Sequence, residues 1–380
     1  VEKSSLGKWM RRIAAGLVAF VVVAGGFGVV RGASIIASDF LTPRPIDPGP
    51  EHEIELVGAG RIALPSNAET AQAGVWGIVG EDGAYGQMAA VIATTGDTVE
   101  RSFRTLEGHF VAGDLVTIDP YAVGTDPLEA FGMAFDNVRL PGELGVNPAW
   151  LIGGERDTWV ILIHGEGLDE RAQALRILPA LADGGFPALV ITYRNDSAAP
   201  DDGGHYRWGL SEWKDVDVAV EYALSRGARS VILYGYGMGA TIAMMYLHQS
   251  DLVGSVLGAV LDSPVLDLGA AVDARGDADG VPGIIVGAAK EGARLRYGIS
   301  WRALNQIERA AEFAIPMLLL QGEEDMLAPV ELADRFAAAL PDLVTYERFP
   351  AAGHADVWNV DPERYGDAVL EFVLGVTPDN

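Results

Sequence analysis

The sequence predicts an α/β protein: a mostly parallel sheet with helices on both faces, preceded by a β-rich region and a transmembrane helix. Three observations carry this. After Trp150, short apolar runs alternate with amphipathic stretches, the rhythm of strands joined by covering helices. The segment Ser230-Val-Ile-Leu-Tyr-Gly235-Tyr-Gly237-Met-Gly239 reads as a buried strand ending in a glycine turn, and the apolar stretch that follows to Leu247 reads as a helix. Ile13 to Val30 is an uncharged apolar run.

At ~1.5 Å per residue that run makes about 27 Å of helix, enough to cross a bilayer. Lys3, Lys8, Arg11 and Arg12 precede it, which places residues 1–12 in the cytoplasm, the anchor at 13–32 and the globular part outside the cell membrane. Cleavage as a signal peptide, giving a secreted protein, is the alternative, but such apolar cores are shorter and no clean A-x-A site follows. Residues 33–50 are expected to form a linker, because Pro43, Pro45, Pro48 and Pro50 make the end of it a stiff, extended spacer. From 51 to 141, β-rich runs such as Gln87 to Thr94 and Asp114 to Ile118 are broken by Gly, Asp and Pro, predicting strands and hairpins. No chemistry stands out there.

The main domain is expected over 142–375. Strands are predicted at Thr158–Ile163, Ala188–Tyr193, Ser230–Tyr234, Val256–Leu261, Ile315–Leu320 and Thr345–Phe349. Trp213, Val216, Val220 and Ala223 make one apolar helix stripe; Leu332, Phe336, Ala339 and Leu340 make another. Asp361 and Pro362 open a final helix that buries Tyr365, Val369, Phe372 and Val373. The excursion at 264–314 is either a cap over the strand ends or a long surface loop with helices.

Composition narrows the chemistry. With 53 acidic and 27 basic side chains among 380 residues, the formal charge of −26 repels phosphate backbones, so nucleic acid is excluded as a partner. The absence of cysteine removes disulfides, thiolate metal sites and cysteine nucleophiles. No metal or organic cofactor is implied.

In a parallel sheet, reactive groups gather at the carboxyl ends of strands. Gly235-Tyr-Gly237-Met-Gly239 matches the nucleophile-elbow pattern G-x-S-x-G with glycine at its centre. His164-Gly-Glu166-Gly follows an earlier strand, and its turn offers backbone donors to a developing oxyanion: the N–H groups of Glu166 and Met238 are the expected pair, an ordinary turn being the plainer reading. Asp325 follows the fifth predicted strand and His354 the sixth, the order in which an orienting acid and a general base come after an elbow. Ser263 is a further hydroxyl at the active edge, more simply a turn serine before Pro264.

From about Gly74 to Leu374 the chain resembles actinobacterial α/β-hydrolases, with Tyr193-Arg-Asn-Asp196, Glu212-Trp-Lys-Asp215, Leu261-Asp-Ser-Pro264 and Trp358-Asn-Val-Asp-Pro362 as family-like blocks. The resemblance implies serine-hydrolase descent, among esterases, lipases and peptidases, with acyl or ester compounds as substrates or ligands. Asp325 and His354 match the family's acid and base, and Gly237 occupies the serine position. Without that hydroxyl no acyl-enzyme forms, so hydrolysis is expected to be weak or absent, and a non-catalytic ligand-binding protein is the alternative. Another class fits the same glycines: Gly235-x-Gly237-x-x-Ala240, with Asp262 following, satisfies a dinucleotide fingerprint.

Overall fold

The computed structural model describes residues 29–44, 51–167 and 170–378. The predicted anchor therefore lies outside the described residues except for its last few positions. Among the described residues, no helix is long and apolar enough to cross a membrane.

Two sheets organise the chain. The first contains β1 (His52–Glu53), β2 (Leu56–Gly58), β3 (Arg61–Pro65), β4 (Trp76–Gly80), β5 (Tyr85–Thr95), β6 (Thr98–Glu107) and β7 (Leu115–Asp119), in the order β1-β7-β4-β5-β6-β3-β2. All its pairings are antiparallel. Alternating side chains such as Ile62, Leu64, Trp76, Ile78, Val99 and Phe103 build a core of its own.

The second sheet contains β8 (Asp136–Pro141), β9 (Val146–Ile152), β10 (Thr158–Ile163), β11 (Ala188–Ile191), β12 (Ser230–Tyr236), β13 (Val256–Asp262), β14 (Met317–Gly322) and β15 (Val344–Phe349), in the order β15-β14-β13-β12-β10-β11-β9-β8. The strands from β10 to β15 pair in parallel, while β9 joins β11 and β8 joins β9 antiparallel. β10 is buried on both faces along its whole length, which is why it reads as an unbroken apolar run. The β8–β9 hairpin has no clear strand signature in the sequence, because the apolar residues of Asp136 to Trp150 are scattered and broken by Gly and Pro. Residues 136–141, counted in sequence with the β-rich region, thus belong to the large sheet.

Helices cover both faces. α1 (Trp213–Ser225) buries Val216, Ala219, Val220 and Ala223, as its spacing requires. α2 (Met238–Gln249) is buried on all sides through most of its length, the pattern of a central helix. α3 (Leu268–Ala278) and α4 (Gly283–Tyr297) fill the excursion. α5 (Val330–Ala339) packs through Ala333 and Phe336; Ala339 sits at its last turn and faces out, contrary to the predicted stripe. α6 (Pro362–Val376) is capped by the Asp361 side chain and buries Tyr365, Val369, Phe372 and Val373.

The expected linker is only partly extended. Residues 29–36 are α-helical and run into a π-helical turn, Ala37–Leu41. The reason is local: no proline occurs before Pro43, and Ala33, Ile36, Ala37 and Leu41 form a buried stripe. Ala33 and Ile36 pack on Val286, Ala289 and Ala293 of α4. Trp208 Nε1 then donates to the Phe40 carbonyl at 2.7 Å, and Tyr206 N to that of Leu41 at 2.6 Å, tying the segment to the large sheet's loops.

Candidate active site

The turn after β12 sets the geometry. Gly237 has φ 48° and ψ −113°, a conformation that side-chain-bearing residues rarely adopt, and its N–H donates to the Asp262 carbonyl at 2.8 Å. A Cβ at Gly235 would run into the backbone of Ala240, and one at Gly239 into the carbonyls of Ile163 and His164. The three glycines thus let the chain fold sharply between strand and helix.

The structure brings Gly237, Met238, Glu166, Asp325 and His354 together. A Cβ built on Gly237 would stand 2.9 Å from His354 Nε2 and 3.1 Å from Glu166 Oε2. On its other nitrogen, His354 Nδ1 is 2.8 Å from Asp325 Oδ2. Asp325 is itself fixed by four donors: Oδ2 also accepts from Gln321 Nε2 at 3.0 Å, and Oδ1 from the N–H groups of Leu327 at 2.9 Å and Ala328 at 2.7 Å. A carboxylate so held orients the ring and favours its charged form. Burial lowers the His354 pKa, but Asp325, Glu166 and Asp262 outweigh it and raise it to about 9.

Glu166 differs from expectation. Its carboxylate turns into the site, Oε2 accepting from Met238 N–H at 3.3 Å and Oε1 lying 3.7 Å from His354 Nε2. The amide expected to meet an oxyanion is therefore already occupied by a carboxylate. The loop that carries Glu166 is firmly held: Gly165 N–H donates to Gln173 Oε1 at 2.8 Å, Tyr193 OH to the Gly165 carbonyl at 2.6 Å and Tyr206 OH to that of Gly167 at 2.6 Å. His164 faces away, its Nε2 3.2 Å from Asp196 in the interior.

Two cavities flank Glu166. One of about 150 Å³ lies over Gly237 and His354 and is walled by Tyr121, Gln173, Arg176 and Asp356. Burial pushes the Asp356 carboxyl up to about 6. The other, of about 220 Å³, lies among Phe40, Thr42, Arg44, Tyr206, Trp208 and Leu327. Among the described residues, neither takes a wall from 264–314, so the possible cap does not enclose the site; the segment before the prolines and the first sheet's last turn do.

Sequence reasoning missed Tyr121, which comes from a turn with no chemical pattern, and Asn359, which lies in the short helix Val357–Val360 inside a block read only as family-like. Asn359 is buried, accepts from Arg176 Nη1 at 2.7 Å, and donates to the carbonyls of Val75 at 2.8 Å and Pro120 at 2.7 Å. The Trp358-to-Pro362 block was the available signal. In another block, Asp215 clamps the buried Arg194, with Nε–Oδ2 at 2.8 Å.

Two of the rival readings find no support in the geometry. Ser263 is buried, donates to Asp262 Oδ1 at 2.9 Å and accepts from Ala355 N–H at 3.1 Å, so it pins the histidine loop and is not a free nucleophile. Asp262 is equally buried, its other oxygen accepting from Tyr365 OH at 2.6 Å, and so no ribose can reach it. With Glu166 on the helix N-terminus and His354 over the turn, the dinucleotide reading of Gly235, Gly237 and Ala240 has neither its acid nor its phosphate seat.

A parallel sheet with this elbow, and an acid and a histidine after its last two strands, β14 and β15, defines the α/β-hydrolase fold. Solved structures agree. An esterase of Pyrococcus furiosus superposes with a TM-score of 0.54 at 20% identity, over 67% of this chain and 95% of its own. A second crystal form gives 0.53 at 21%, over 67% and 96%. A puromycin hydrolase mutant gives 0.50 at 20%, over 83% of this chain and 52% of the hydrolase, so the chain matches about half of that protein. At these identities the likeness is one of fold. Residues 53–119 match a domain of unknown function, DUF8805. No curated protein sequence matches the chain.

Proposed function

We propose that this protein is a pseudo-hydrolase of serine-esterase descent, which binds small acyl or ester compounds and turns them over weakly or not at all. One observation carries the reading: the His354–Asp325 pair is intact and aimed at the elbow, where Gly237 has no hydroxyl to attack with. Because its neighbours raise its pKa to about 9, His354 is mostly imidazolium at neutral pH, which leaves little of the neutral base that could take a proton from a water. What remains is a cavity with fixed polar groups, the makings of a binding site. The esterase of Pyrococcus furiosus shares the fold, which supports an ester or acyl compound as the ligand class.

The expected result is that purified protein hydrolyses short acyl esters at close to the buffer rate and takes no fluorophosphonate label. Strong turnover abolished by His354→Ala would overturn the proposal by revealing a bound water or another nucleophile at work. We also propose that the apolar run at 13–30 anchors the protein, with the globular part outside the membrane. The check is alkaline carbonate extraction with protease protection of a C-terminal tag; release of a shortened soluble protein would favour signal cleavage.

A further inference from the structure

The absent serine is not the site's only block. We infer that Glu166 is a second silencing residue, its carboxylate standing where a ligand's acyl oxygen would be received, so that serine at position 237 alone would not restore reactivity. This rests on the site assignment proposed above and extends it to the oxyanion position.

The geometry supports it in three ways. Met238 N–H is the first amide of α2, where the helix dipole adds to its pull on negative charge, and Glu166 Oε2 already holds it at 3.3 Å. Any acyl oxygen entering there must displace a carboxylate. Second, a Cβ at 237 would lie 3.1 Å from the same oxygen, so a serine hydroxyl would meet an acceptor before it met a substrate. Third, Glu166 Oε1 is 3.7 Å from His354 Nε2, which has no hydrogen-bond partner, and this neighbour favours the imidazolium over the base. The side chain is also free enough to leave, being 36% exposed. Because Glu166 walls both cavities, its removal opens the space over Gly237 toward Phe40, Trp208 and Leu327, a partly apolar extension suited to the acyl or alcohol arm of an ester.

The experiment is a square of four proteins: the native chain, Gly237→Ser, Glu166→Ala and the double variant, each exposed to a fluorophosphonate probe. In the labelling step the serine Oγ–P bond forms, the P–F bond breaks, fluoride leaves and the hydroxyl proton passes to His354. The double variant is expected to label about 100-fold faster than Gly237→Ser, the size of effect that an oxyanion donor commands, while the other two stay unlabelled. Equal rates for Gly237→Ser and the double variant would sink this inference and leave the site assignment standing. Failure of both to label, with native circular dichroism, would sink the assignment itself. Should the alanine variants unfold, Glu166→Gln with Gly237→Ser keeps the volume, removes the charge and carries the same expectation. A structural role alone would not move the titration of His354. In Glu166→Gln its NMR midpoint should fall from about 9 by about one pH unit, and an unchanged midpoint would count against Glu166 as its electrostatic partner.

Discussion

At the scale of the residue, the surroundings of His354 favour its charged form over the neutral base. Its raised pKa means that the native state binds a proton more tightly than the unfolded chain does, whose histidine titrates near 6.5. The resulting stabilisation is fully present below about pH 6.5 and is lost as pH rises through about 9. For an imidazole 21% exposed, it is on the order of 2 to 3 kcal/mol. Urea unfolding at pH 6 and pH 9.5 should therefore show the native chain losing stability with pH, and His354→Gln losing less. Parallel losses in the two proteins would show that the drop belongs to other groups. Much of this site was legible in the sequence, since Asp325, His354 and the elbow glycines stand at strand ends that an apolar pattern marks clearly. What could not be read was the direction of a side chain. Glu166 was chosen for its amide, and a sequence does not say whether the carboxylate beside that amide points to solvent or back at Met238.

Among the elements, the parallel strands were the most readable, because burial on both faces leaves an unbroken apolar signature; β10 was read over its full length. The edge hairpin β8–β9 carries no such mark. The helical stripe at residues 33–41 is hard to see in the sequence for a related reason: the prolines that follow dominate the stretch. That helix sits very close to α4. A Cβ on Gly292 would lie 2.9 Å from Val29 Cγ1 and 3.0 Å from Ala33 Cβ, so only a small residue lets the two approach. Gly292→Val should push them apart, costing about 1 to 3 kcal/mol, and should speed trypsin cleavage at Arg31, which Gly32 follows. Gly287→Val is the control, since nothing lies within 4 Å of a Cβ there, and it makes the same small change in helix propensity. Equal cleavage of the two variants would mean that the close approach does not hold the segment in place. The consequence reaches the site, because Phe40, Thr42 and Arg44 wall the second cavity.

For the molecule as a whole, the question is how a small antiparallel sheet with its own core comes to share the site of a large parallel one. Asn359 joins them. It sits five residues after His354, and its amide donates to carbonyls at one end of two neighbouring strands of the first sheet, at Val75 before β4 and Pro120 after β7. Its oxygen receives Arg176, whose Nη1 also donates to the Ala355 carbonyl at 3.2 Å, so one buried side chain links the first sheet, the wall of the cavity and the histidine loop. Asn359→Ala removes three buried hydrogen bonds and leaves two carbonyls and a guanidinium short of partners, at a cost of about 2 to 5 kcal/mol. That cost falls on the junction, because Ile62, Trp76, Ile78 and Phe103 still pack among themselves. The first sheet should consequently melt as a unit of its own: calorimetry of the native chain is expected to show one transition, and that of Asn359→Ala two, with Trp76 fluorescence following the earlier. The NMR signal of His354 should shift in the same variant, since Arg176, which holds the Ala355 carbonyl of its loop, loses its anchor on Asn359. A single transition at an unchanged temperature, with an undisturbed imidazole, would mean that the main-chain bond from Val75 N–H to the Asn359 carbonyl and surface packing suffice to hold the sheets, and that the Asn359 amide does not steady the histidine.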